Sequence, residues 1–205
     1  MLDVDLVRSR GLDPIDVTDA WLEAGVRLLQ LRAKSRPLGP VTELADVLAA
    51  RARAVGATFL VNDRADVARL SGADGVHVGQ EDLTPAEVRA LVGPDALVGL
   101  STHSTAQVRA AREAPISYLA IGPVFPTTTK ARPDPVVGVE GVSEAAAEAG
   151  QWPAPRPVVA IGGLTRATAA HVLRAGAASL AVASDLIGDD PAASARAWLH
   201  AVGEA

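Results

Sequence analysis

From end to end, short runs of β-branched and aliphatic residues alternate with Ala-rich stretches of helical period. That alternation is the mark of a parallel sheet whose strands are joined by helical crossovers. Strands are predicted at 27–31, 58–61, 75–78, 97–100, 118–122, 158–161 and 179–183, and helices at 16–24, 39–55, 65–70, 85–92, 104–113, 143–149, 165–174 and 191–202. Helix starts carry their own signals: Thr84 followed by Pro85 and Glu87, then Ser104, then Thr165. Seven strands, each followed by a helix, with one helix ahead of the first, predict a single-domain α/β chain folded as a (β/α)8 TIM barrel whose first strand is truncated or atypical. Residues 1–7 are too short and too acidic to make a convincing buried strand. A doubly wound open sheet would instead show a Gly-rich turn after its first strand, and none is present.

Composition narrows the function classes. Over 205 residues, 49% are hydrophobic and 21% charged, which is globular usage rather than disordered. No apolar run approaches the ~18 residues of a membrane span and the start lacks a signal peptide's apolar stretch, so a cytoplasmic protein is expected. The absence of cysteine excludes disulfides, thiolate metal sites and a Cys nucleophile. A net charge of −5 without any basic block argues against nucleic acid as a partner. Of 19 basic residues 17 are Arg, so the two lysines, Lys34 and Lys130, ask for a reason. A compact ammonium gripping phosphate is one; chance is the other.

In a barrel the strand C-termini converge on one mouth, and polar residues just beyond them read as functional. Alternation sends Gln30, Arg32 and Lys34 to one side after the first predicted strand, as a phosphate grip or as solvated strand-end groups. Asp63 and Asp82 follow the next two strands. They either share one hard cation or cap the helices at Ala65 and Pro85. His77 lies mid-strand in a supporting position, while Asn62, Ser101 and His103 offer hydrogen bonds at the mouth. The run Thr127-Thr128-Thr129-Lys130 forms a polar, cationic cradle suited to phosphate. It lies in a stretch, 125–141, without helix or strand period, read as a loop that covers the substrate or as an ordinary surface excursion. Gly162-Gly163, and Ala183-Ser184 after the last strand, place backbone amides where barrels most often bind phosphate.

These segments, Gln30 to Lys34, Asn62-Asp63, Ala73 to Asp82, Gly99 to Ser101, Thr127 to Lys130 and Ala160 to Gly163, resemble in order the motifs of thiamine-phosphate synthases. The resemblance implies a (β/α) barrel that joins 4-amino-2-methyl-5-hydroxymethylpyrimidine diphosphate to a thiazole phosphate with release of pyrophosphate. It implies small phosphorylated molecules as partners, Mg²⁺ as cofactor, and leaves a homo-oligomer open. It also implies that Gln30, Arg32, Lys34, Asn62, Ser101 and Lys130 hold the pyrimidine diphosphate, with Arg32, Lys34, Ser101 and Lys130 serving catalysis. Asp63 and Asp82 would bind Mg²⁺; Thr127, Thr128, Thr129, Gly163, Ala183 and Ser184 would hold the thiazole phosphate. Members of that family open with an apolar strand ending in a Thr-Asp-type turn, whereas Leu2-Asp3-Val4-Asp5 starts at or after that turn. The rival readings are a thiazole tautomerase, which tends to lack the carboxylates and the Thr-x-Thr-Lys pattern, a sugar-phosphate isomerase barrel, and a phosphate-binding barrel inactive because of its N-terminus.

Overall fold

The computed structural model describes residues 1–34, 36–127 and 134–203. Its eight strands form one parallel sheet in chain order: β1 (Leu2–Asp3), β2 (Leu28–Arg32), β3 (Thr58–Asn62), β4 (Gly75–Val78), β5 (Leu97–Thr102), β6 (Tyr118–Ile121), β7 (Val158–Ile161) and β8 (Ser179–Ala181). The helices are α1 (Val4–Ser9), α2 (Pro14–Glu23), α3 (Leu38–Ala54), α4 (Ala65–Ser71), α5 (Pro85–Val92), α6 (Thr105–Ala110), α7 (Gly138–Gly150), α8 (Arg166–Arg174) and α9 (Pro191–Gly203).

Alternation along each strand sorts the side chains. Leu29, Leu31, Phe59, Val61, Val76 and Val78 are buried on the helix-facing side, each contributing roughly 1.5–3 kcal/mol by leaving water. The residues between them, Gln30, Asn62 and His77, point the other way. The Gln30 amide of β2 reaches Tyr118 of β6. In a flat sheet those strands would stand about 19 Å apart, so the contact shows that the sheet curls around an interior. At the seam, the Met1 amino group donates to the Val182 carbonyl at 2.7 Å, although no ladder among the described residues joins β8 to β1.

Two readings of the sequence need correction. Residues 1–7 do hold a strand: Leu2 pairs with Leu31 and Asp3 with Arg32. Its acidity is tolerated because the Asp3 carboxylate, 4% exposed, meets the Arg32 guanidinium and accepts from the Asp5 and Leu6 amides at 3.1 Å, capping α1, a helix that the sequence reading does not contain. The stretch 125–141 is shorter than expected as a loop, since α7 begins at Gly138 rather than 143. Elsewhere the predicted elements lie within about two residues of the observed ones, apart from the shorter α6, which ends at Ala110. The Thr84–Glu87 capping box is present on α5.

Candidate active site

At the ends of β2, β3 and β4 the chain builds a compact charged cluster. The Lys34 ammonium lies 3.0 Å from Asp63 Oδ2, and the Asp63 and Asp82 carboxyls are close enough to share a hydrogen bond. Asp63 holds the only left-handed backbone outside glycine among the described residues, φ 64°, with its amide on the His77 carbonyl at 2.7 Å. Asp and Asn tolerate that region best, and such backbones gather at functional sites. Burial pushes the Asp63 carboxyl above its ordinary range, the Asp82 charge adds to the rise, and Lys34 only partly offsets it. Two carboxylates crowded this way favour a bound cation. Neither is a helix cap: Arg64 precedes α4 without a side-chain bond, Thr84 caps α5, and Asp82 Oδ2 accepts from the Gly79 amide at 2.8 Å. Among the described residues no three His, Cys, Asp or Glu gather as a metal-binding group, so any ion here would lean on non-protein oxygens. A small cleft of about 130 Å³ runs between Lys34, Asn62, Asp63 and the apolar side chains of Leu31, Val41 and Val61.

Arg32 and Gln30 face the same interior. Arg32 is not a free cation there, because buried Asp3 holds its guanidinium. Asp3 is the functional neighbour that sequence reasoning missed, and its signal was an Asp placed directly before a short apolar helix.

Deeper in the barrel, His77 Nδ1 lies 2.9 Å from the Tyr118 hydroxyl and His77 Nε2 lies 2.8 Å from Ser101 Oγ. The rings of His77 and Tyr118 stack with centroids 5.4 Å apart. Burial lowers the imidazole to about 4, so it is neutral at physiological pH, and raises the Tyr118 phenol. Gly99 makes this pair fit: a Cβ there would stand 2.3 Å from the Tyr118 oxygen and 2.4 Å from His77 Nδ1. Gln80 Nε2 donates to the Ser101 carbonyl at 2.6 Å, steadying the end of β5. Tyr118 was also missed, although it is the only tyrosine in the chain and sits on the interior face of a strand. His103 is turned aside, with Nδ1 on the Gly122 carbonyl at 2.5 Å and Nε2 3.4 Å from Asp134.

Across the mouth, the ends of β7 and β8 present backbone. Gly162 and Gly163 have φ of 96° and 65°, and a Cβ on Gly163 would lie 2.5–2.7 Å from Pro126 and Phe125. The turn is therefore a close-packing device, with Phe125 N bonded to the Gly162 carbonyl at 3.0 Å. It also leaves the Gly163 N–H without an acceptor among the described residues, ahead of α8. Ser184 opens a 3₁₀ turn, Ser184–Leu186, whose place is set by two tryptophans. Trp21 Nε1 donates to the Leu186 carbonyl at 3.3 Å and Trp198 Nε1 to Asp185 at 2.7 Å. Thr127 lies in the loop between the two halves; Thr128, Thr129 and Lys130 lie outside the described residues.

Fold and mouth together define a class: a (β/α) barrel with a charged cluster at the ends of β2 to β4 and a glycine turn after β7. The chain matches the thiamine monophosphate synthase family over residues 6–186 and belongs to that family. It is 46% identical over 165 residues to a thiamine-phosphate synthase of Koribacter versatilis, covering 80% of this chain and 75% of that protein. It is 44% identical to a bifunctional thiamine biosynthesis protein of Symbiobacterium thermophilum, covering 94% of this chain but only 39% of that longer protein. Among solved structures, thiamine phosphate pyrophosphorylase from Pyrococcus furiosus superposes with a TM-score of 0.85 at 30% identity, covering 96% of this chain and 92% of that one. No helix among the described residues is long and apolar enough to cross a membrane.

Proposed function

We propose that this chain is a thiamine-phosphate synthase that transfers the pyrimidinylmethyl group from 4-amino-2-methyl-5-hydroxymethylpyrimidine diphosphate to the nitrogen of a thiazole phosphate. The observation that carries the reading is the Lys34–Asp63–Asp82 cluster facing the Gly162-Gly163 turn across one mouth. The bond between the methylene carbon and the diphosphate oxygen breaks, its electron pair leaving with pyrophosphate. The thiazole nitrogen then supplies the pair for the new C–N bond. Such a step needs leaving-group charge to be stabilised more than it needs a base, and the residues fit: Lys34 and Lys130 supply positive charge, Arg32 adds what its pairing with Asp3 leaves, and no Ser-His-Asp set is needed.

Asp63 and Asp82 would hold Mg²⁺, since that ion commonly takes one or two carboxylates and completes its shell with water and phosphate oxygens. When bound, Mg²⁺ supplies charge neutralisation to the diphosphate. Gln30, Asn62 and Ser101 orient the pyrimidine by hydrogen bonds. Gly163, Ala183 and Ser184, with Thr127, Thr128 and Thr129 from the facing loop, hold the thiazole monophosphate by amides and hydroxyls. Both substrates are phosphorylated and do not cross membranes unaided, which favours a cytoplasmic setting. The charged carboxylate pair favours this reading over a thiazole tautomerase. The test is incubation of the purified chain with both substrates and Mg²⁺, following thiamine phosphate and pyrophosphate by chromatography and ³¹P NMR. Equimolar release of the two products is expected; pyrophosphate without thiamine phosphate, or neither, would overturn it.

A further inference from the structure

We infer that Tyr118 and His77 are positioning residues that orient a chain of hydrogen bonds running Tyr118 to His77 to Ser101, so that the Ser101 hydroxyl keeps its proton free to donate to the substrate. The inference rests on the proposed synthase reading for the identity of the substrate, and on geometry for the direction.

A neutral imidazole has one donor and one acceptor nitrogen, and the hydrogen bond made by one fixes the role of the other. His77 is 5% exposed and spans two hydroxyls, Tyr118 at 2.9 Å on Nδ1 and Ser101 at 2.8 Å on Nε2. The Gln30 side chain also approaches the Tyr118 hydroxyl. If Nδ1 carried the proton, the phenol oxygen would accept from it, and the phenol's own proton, on a half-buried side chain, would have no acceptor within hydrogen-bond reach among the described residues. A partly desolvated donor left unmet is costly. With the proton on Nε2, both ring nitrogens and the phenol are satisfied: the phenol donates to Nδ1, and Nε2 donates to Ser101 Oγ. Ser101, having accepted, keeps its own proton for the mouth. It is thereby matched to a ligand atom that accepts, such as a pyrimidine ring nitrogen. Gly99 belongs to the same device, because any side chain there would part the phenol from the imidazole.

The first measurement needs no variant. Long-range ¹H–¹⁵N correlation on the full-length protein at neutral pH reads which ring nitrogen of His77 is protonated. The signal is assigned by its loss in H77Q or, should that variant not fold, by elimination with H103Q, H171Q and H200Q. Nε2 protonation is expected; Nδ1 protonation overturns the inference, whatever reaction the protein performs. The second measurement is kinetic. Tyr118→Phe should lower kcat/KM for the pyrimidine diphosphate about 20-fold while leaving KM for the thiazole phosphate within about twofold. On a Ser101→Ala background the same change should cost less than about twofold, because its effect passes through Ser101. An equal cost in both backgrounds would show that Tyr118 acts by another route. Should wild-type protein form no thiamine phosphate, the function fails, yet the imidazole spectrum still decides the direction of the chain.

Discussion

On the proposed reading the two lobes of the mouth solve the same problem, holding a phosphate, with different materials. Around β2, β3 and β4 the site is made of side-chain charge: Lys34 on Asp63, Asp63 against Asp82, Arg32 held by Asp3. Around β7 and β8 it is made of backbone: a Gly-Gly turn in the left-handed region and a short 3₁₀ turn anchored by Trp21 and Trp198. Charge suits a diphosphate that must leave, because its stabilisation grows as the bond breaks. Backbone suits a monophosphate that only has to stay put. Side chains can be exchanged at modest structural cost, whereas the backbone lobe is also a packing joint.

The largest expected contrast comes from Asp63→Asn. It removes a charge from the charged lobe and should lower kcat/KM by about 10²–10³-fold. Asn tolerates φ 64°, and the change relieves a buried carboxylate that Asp82 already crowds, so thermal melting should stay unchanged or rise. A melting point that falls with activity would mean that Asp63 is structural.

Gly163→Asp tests the other lobe, and here stability and binding should fall together. A β-carbon 2.5–2.7 Å from Pro126 and Phe125, at φ 65°, should cost about 2–4 kcal/mol by urea denaturation. In the variant that remains folded by circular dichroism, calorimetric titration should show thiazole phosphate binding abolished and pyrimidine diphosphate affinity within about threefold. Equal loss of both affinities would erase the distinction between the lobes.

The floor between them answers to pH. His77 titrates at about 4 when folded and near 6.5 when free, so the unfolded chain binds the proton first. The stability His77 contributes is complete above about pH 6.5 and is lost as pH falls toward 4, by at most about 3 kcal/mol. Comparing urea midpoints of wild type and His77→Gln at pH 7.5 and pH 5 isolates this group; a difference independent of pH would show that His77 takes up its proton alike in the folded and unfolded chains. The smallest effect belongs to Ser184→Ala, which removes one hydroxyl from an amide-built site. It should weaken thiazole phosphate by about threefold, or roughly 0.7 kcal/mol, without changing the melting point.

How much of this could be read beforehand differs by lobe for physical reasons. Charged groups at strand ends announce themselves by residue type, so Lys34, Asp63 and Asp82 stand out in the sequence and fall together in space. A glycine pair looks the same whether it receives an anion or clears a path for Phe125. Partnerships between strands are harder still: Asp3 and Arg32 are 29 residues apart, and His77 and Tyr118 are 41 apart. Strand periodicity gives each residue its face but not its opposite number. The short first strand misled for a related reason, since acidity argues against burial only until a guanidinium is found to match it.

The seam at Met1 has a consequence for breathing. Seven of the eight strand boundaries in the barrel are ladders, while between β8 and β1 a single bond from Met1 to Val182 spans the described residues. Amides on β8 should exchange with solvent deuterium through local opening, well ahead of those on β3 to β6, whose release requires global unfolding. Ser184, three residues beyond β8, would feel that opening only through a turn that Trp21 and Trp198 hold in place.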